Sequence, residues 1–133
     1  MRSSAEVVVA DDLGRLVCER CTVADNPITR LRGLLGRAEL PAGEGLLLRP
    51  SPSIHTWFMR FPIDVVFLDG DLRVLDVRHR VRPWRMAGRR GARAVLELAA
   101  GEARRRGIER GMALTLVAPA DVVTNEREDD HEG

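Results

Sequence analysis

Apolar and polar residues alternate with a period of two along most of this chain, and glycine and proline punctuate the runs. That combination predicts strands rather than helices. Residues 7–10 and 16–23 are two β-rich runs separated by Asp11, Asp12 and Gly14, which predicts a hairpin. One segment breaks the pattern. Asp25 or Asn26 can cap a helix with Pro27 at its first position, Ile28, Leu31, Leu34 and Leu35 at helical spacing, and Gly36 at its end. After a loop containing Pro41, Gly43 and Gly45, residues 46–48 form a short apolar strand that Pro50 and Pro52 stop.

Residues 54–69, IHTWFMRFPIDVVFLD, hold two apolar strand runs broken at Phe61 and Pro62, because proline removes a ladder donor. The second run ends in Asp69 and Gly70, the signal of a two-residue type I′ hairpin. Residues 73–81 alternate again, placing Leu75, Val77, His79 and Val81 on one face, expected to point inward. An arginine- and glycine-rich loop covers 82–93. The stretch AVLELAAGEARRRGIERGMALTLV then predicts a strand, a short helix at about 102–106, a glycine turn and a last strand over 112–117. Leu96 and Leu98 face inward, which puts Glu97 on the other side with Val95 and Ala99. The expected fold class is mainly β: a compact barrel or jelly-roll-like sandwich of about eight short strands with one or two short helices. Residues 1–124 form a single domain. Residues 125–133, with five acids against one arginine, read as a disordered acidic tail.

Composition narrows the class further. A chain of 133 residues with 44% hydrophobic residues can bury a core without disulfide or metal staples. No run of 18 apolar residues is present, and the opening residues lack an export signal, so a soluble, cytoplasmic, monomeric protein without membrane contact is expected. All 21 basic residues are arginine, which reflects a genome-wide bias before it reflects guanidinium chemistry. The net charge of +1 gives no global field that would gather nucleic acid or membrane.

Three constellations could carry chemistry. Cys18 and Cys21 form a CxxC, but residues three apart on a strand point to opposite faces, so divergent, reduced thiols and no metal site are expected. His55, Arg60 and Asp64 are polar residues inside the most apolar segment, where an unpaired charge is costly. Asp64 therefore needs hydrogen bonds from His55 or from backbone at the bend; alternatively, Asp64 charges His55 and Arg60 receives an anion. Between Asp76 and Glu97 lie seven arginines and no acid, with Trp84 interleaved. Arg78, Arg80, Arg82 and Arg85 are the anion-binding candidates of that loop, and Trp84 joins His55, Arg60 and Asp64 as a ligand-binding candidate. The alternatives are a solvated loop, one neutralised by the acidic tail, or a docking surface for a partner.

RLRGLLGR at 30–37, HTWFMRFPIDVVFLD at 55–69, the proline and tryptophan at 83 and 84, and AVLELAAGEARRRGIERG at 94–111 together resemble the prokaryotic family known as domain of unknown function 192. The resemblance spans about residues 15–117. It implies a compact mainly-β domain and no settled activity. Met112 follows Gly111 where such proteins often carry an aspartate, so no carboxylate role is carried to that turn. The resulting expectation is a non-catalytic module, without cofactor, that binds a small molecule or protein near His55, Asp64 and the arginine loop. A small enzyme using His55 and Asp64 as an acid-base pair is the first alternative, and a nucleic-acid contact through residues 78–93 the second.

Overall fold

The structure is a computed structural model and describes residues 4–24, 39–56 and 59–122. The helix expected over 26–36 and the acidic tail at 125–133 lie outside the described residues. Nine strands run along the chain: β1 (Ser4–Asp11), β2 (Leu16–Ala24), β3 (Glu44–Leu48), β4 (Ser53–His55), β5 (Ile63–Leu68), β6 (Val74–Val81), β7 (Met86–Gly88), β8 (Ala94–Ala99) and β9 (Leu114–Val117). A one-turn helix, α1 (Glu102–Arg105), follows β8. The mainly-β class expected from the alternation is the one found.

Seven strands form one sheet in the order β6-β5-β8-β3-β2-β1-β9, and β4 pairs with β7 in a second, two-stranded sheet. The large sheet is antiparallel except between β2 and β3, which are parallel and joined by a long connection, as parallel neighbours require. Its two edges meet at one end only. Arg73 and Ala113 form an isolated bridge there, and the Val74 amide donates to the Met112 carbonyl at 2.8 Å. The sheet is therefore a curled, sandwich-like layer and not a closed barrel.

Burial follows from that curl. Val66 and Leu68 of β5, Leu47 of β3, and Leu96 and Leu98 of β8 pack inside the curl against Val9, Val17 and Leu114. The alternate residues Ile63, Val65 and Phe67 of β5, Leu46 and Leu48 of β3 and Val95 of β8 pack on the other face, under Ile54 and Ala87 of the small sheet. The central strands are thus covered on both sides, which explains why all six residues of β5 are buried and why its sequence is apolar at every position but Asp64.

Three local expectations are corrected. The β5–β6 turn is not type I′: Leu72, at φ 64°, takes the left-handed position and its amide bonds back to the Asp69 carbonyl, while Asp69 Oδ1 accepts the Asp71 and Arg73 amides. An aspartate that satisfies two amides ahead of it favours the longer turn. β6 does not alternate cleanly, since its register against β5 slips twice, between Phe67 and Leu68 and between Ile63 and Val65. Each slip inserts one unmatched residue, so Leu75 and Val81 join the outer cluster, Val77 the inner one, and His79 is exposed. The cysteines do not diverge. Val7 faces Cys21 and Val9 faces Cys18, which leaves an extra residue at Glu19 and Arg20 and brings both sulfurs into the inner cluster.

Candidate functional site

Asp64 is wholly buried at the end of β5, and its carboxylate is held by three backbone amides. Oδ1 accepts the Arg80 amide at 2.8 Å, and Oδ2 accepts those of Gly101 at 3.0 Å and Ala103 at 2.9 Å. Each donor is available for a local reason. The second bulge of β6 puts Arg80 at φ 52° and turns its N–H away from the ladder. Gly101 enters α1 at φ 94°, a conformation glycine adopts without steric cost, and the first-turn amides of a helix have no partner within it. The aspartate thereby ties β5, β6 and α1 into one corner.

Above this corner lies an open pocket of about 300 Å³ lined by Asp64, His79, Arg80, Gly101, Arg104 and Arg105. Arg105 is committed to Glu102, at 2.6 Å from Oε2 and 2.9 Å from Oε1. Arg80 and Arg104 form no ion pair among the described residues, and the Arg80 guanidinium lies over the Cα of Gly101. Asp64 offsets part of their charge, but both its oxygens are already occupied. The pocket presents guanidinium groups and an imidazole to solvent around that satisfied carboxylate.

The other site candidates fall into a second group. Thr56, wholly buried, fixes the arginine loop: its Oγ1 donates to the Arg82 carbonyl at 2.7 Å and accepts the Arg85 amide at 2.8 Å. Its carbonyl accepts the Trp84 amide at 2.9 Å, and Trp84 stands at φ 66° and is 56% exposed. His55 pairs with Met86 across the small sheet, so His55, Trp84, Arg85 and Met86 cluster around the β4–β7 ribbon. Arg60 and Arg82 are exposed. Arg78 is turned aside, paired with Asp76 at 3.2 Å and lying 5.7 Å from the centroid of the Phe67 ring. The structure thus joins Asp64 with Arg80 and His79, and places His55 with Trp84.

Sequence reasoning missed His79, Arg104 and Arg105 as pocket residues, and Glu97. Residue parity assigned Glu97 correctly to the outer face of β8, yet the small sheet makes that face a second core. Glu97 is 4% exposed, lies between Leu46 and Val65, and burial alone pushes its carboxyl up to about 8. A charged residue in the middle of AVLELA was the available signal. Among the described residues no group of three or more His, Cys, Asp or Glu could hold a metal ion, and no helix is long and apolar enough to cross a membrane.

A curled, mostly antiparallel sheet capped by a β-ribbon, with a buried carboxylate tying bulge to helix, defines a small mainly-β domain. Over residues 8–116 the chain matches the model of the DUF192 family, described as Uncharacterized ACR, and it belongs to that family. It is 34% identical over 93 residues to a UPF0127 protein of Thermococcus sibiricus, a match covering 66% of this chain and 60% of that protein. A second UPF0127 protein, from Thermococcus gammatolerans, is 32% identical over 110 residues, 79% of this chain and 71% of its relative. The chain is also similar to the crystal structure of a protein of unknown function from Novosphingobium aromaticivorans, with TM-score 0.73, 25% identity and 84% of each chain covered. A structure from Sinorhizobium meliloti described as a putative transcription regulator shares the fold at TM-score 0.73 and 24% identity, covering 87% of this chain and 97% of that one.

Proposed function

We propose that this protein is a non-catalytic binding module whose ligand is a small anion received at the Asp64 corner. The observation that carries the reading is the convergence of Arg80 and Arg104, both without an ion pair among the described residues, with His79 on one open pocket. Guanidinium groups present flat donor arrays matched to carboxylate and phosphate oxygens, and an anion would complete their coordination. Binding is favoured over acid-base catalysis because both oxygens of Asp64 are held by amides, which suits a support better than a proton acceptor. Trp84 among exposed arginines favours a second reading, in which the β4–β7 end contacts single-stranded nucleic acid by stacking and charge.

Thermal shift and calorimetric titration with inorganic phosphate and with succinate test the first reading. Saturable stabilisation of wild type, abolished by Arg80→Ala and by Arg104→Ala but kept by Arg85→Ala, is the expected result. No saturable response to either probe overturns it. Anisotropy with a labelled single-stranded RNA decides the second: steep loss of affinity with salt, weakened by Trp84→Ala and Arg85→Ala, would establish nucleic acid as the ligand instead.

A further inference from the structure

The CxxC segment is the one motif that this reading leaves unused. On an unbroken strand Cys18 and Cys21 would point to opposite faces; the bulge at Glu19 and Arg20 puts both sulfurs on the inner face of β2, each wholly buried. The two cysteines stand opposite Val9 and Val7, residues two apart on β1. At strand rise, that spacing sets their Cα atoms about 6.7 Å apart. Disulfides span Cα separations of about 4.4–6.8 Å, so closure is feasible at the upper end of the range, where the bond is easily reduced. Cys21 Sγ donates to the Thr22 carbonyl at 3.9 Å, and both sulfurs belong to the same buried cluster. Cys18 Sγ is also confined from above, 3.5 Å from the Gly43 carbonyl, and a Cβ at Gly45 would come within 2.8 Å of it.

We propose that Cys18 and Cys21 are a redox-active dithiol that closes reversibly to an intrachain disulfide in response to a hydroperoxide. The two sulfurs divide the roles. Cys18 adjoins the bulge residue Glu19, which holds the Arg106 guanidinium at 2.8 Å, and is the nucleophile. The nearness of Cys21, with the Arg20 amide and the charge of Arg106, holds the Cys18 thiol below its ordinary range, whereas Cys18 beside it and burial push the Cys21 thiol up. Its thiolate attacks one oxygen of hydrogen peroxide, the O–O bond breaks, hydroxide leaves and takes a proton to become water, and Cys18 becomes a sulfenic acid. Cys21 then gives up its proton, its sulfur attacks Cys18, the S–O bond breaks, and a second water departs. Two electrons pass from the cysteine sulfurs to the peroxide, and no metal or cofactor is needed. Both sulfurs are buried, so a water-sized oxidant reaches them through local opening of the ladder, which the bulge already disrupts.

The chain has only two cysteines, so mass spectrometry reads the outcome directly. Wild-type protein treated with hydrogen peroxide, then denatured and alkylated with iodoacetamide, should be two hydrogens lighter, take up no alkyl group and remain monomeric on a non-reducing gel. Dithiothreitol added before denaturation should restore two alkylation sites. Cys21→Ser protein should trap a dimedone adduct at Cys18, whereas Cys18→Ser should give none. Two fully alkylated cysteines after peroxide, loss of alkylation through chain-to-chain dimers, or oxidation that dithiothreitol does not reverse would each overturn the proposal. The wild-type measurement decides even where a serine variant fails to fold.

Discussion

Arg80 and Asp64 meet backbone to side chain, with the Arg80 amide donating to Asp64 Oδ1 at 2.8 Å from a residue held at φ 52°. The same residue therefore does two things. Its backbone satisfies the buried carboxylate, and its side chain reaches over Gly101 into the pocket. Orientation of the proposed anion site is thereby built into the strand pairing of β5 and β6 and does not depend on side-chain packing alone.

Replacing Asp64 by asparagine should expose this division. A carboxamide offers one acceptor oxygen and an NH2 group that faces a donor, so at least one of the three amides loses its partner in a buried place. The expected cost is roughly 2–4 kcal/mol of folding stability. Urea unfolding of Asp64→Asn beside wild type measures it. A change below about 0.5 kcal/mol would contradict the tying role of the carboxylate.

Much of this corner was hidden from sequence reasoning for a definable reason. Asp64 was recognisable as a polar residue in an apolar run that had to be satisfied, but its donors lie 16, 37 and 39 residues away, and nothing local names them. The β1–β2 hairpin and the strands β3, β5 and β8 were legible because hydrophobic patterning and turn residues agree there. Bulges were the main failure, since one extra residue reverses every side chain beyond it. In β2 the adjacent charges Glu19 and Arg20 marked the break; in β6 the run Arg78, His79, Arg80 was read as clean alternation when all three are exposed. Glu97 was placed on the right face, but whether that face is wet depends on β4 and β7, which pair through residues 53–55 and 86–88.

Thr56 provides a test of how the arginine loop is held. Thr56→Val keeps the volume but removes the hydroxyl that bonds the Arg82 carbonyl and the Arg85 amide. Because the loop end is open to water, which recovers part of the loss, the expected destabilisation is about 1–2 kcal/mol. Loosening should be local. Trypsin should cut after Arg85 faster than in wild type, with no acceleration at Arg104, Arg105 or Arg106; equal cleavage at Arg85 would show that Thr56 does not anchor the loop.

Glu97 should make stability fall as the medium becomes alkaline. Its carboxyl ionises near 4.5 in the unfolded chain and near 8 in the fold, where burial disfavours the charge and no hydrogen bond or ion pair to it forms among the described residues. Below about pH 4.5 both states carry the proton and the residue contributes no pH dependence. Between about 4.5 and 8 the folded state keeps a proton that the unfolded state has released, so stability declines by about 1.4 kcal/mol per pH unit. Above about 8 both states are ionised and the penalty is constant. Glutamine mimics the protonated form and cannot ionise, so Glu97→Gln should match wild type near pH 4.5 and exceed it by roughly 3 kcal/mol at pH 7. Taking the difference between the two proteins cancels every other titrating group common to both. Urea unfolding of each at pH 4.5, 6, 7 and 8 gives that difference directly, and parallel pH profiles for the two would show that the Glu97 carboxylate is stabilised inside the fold after all.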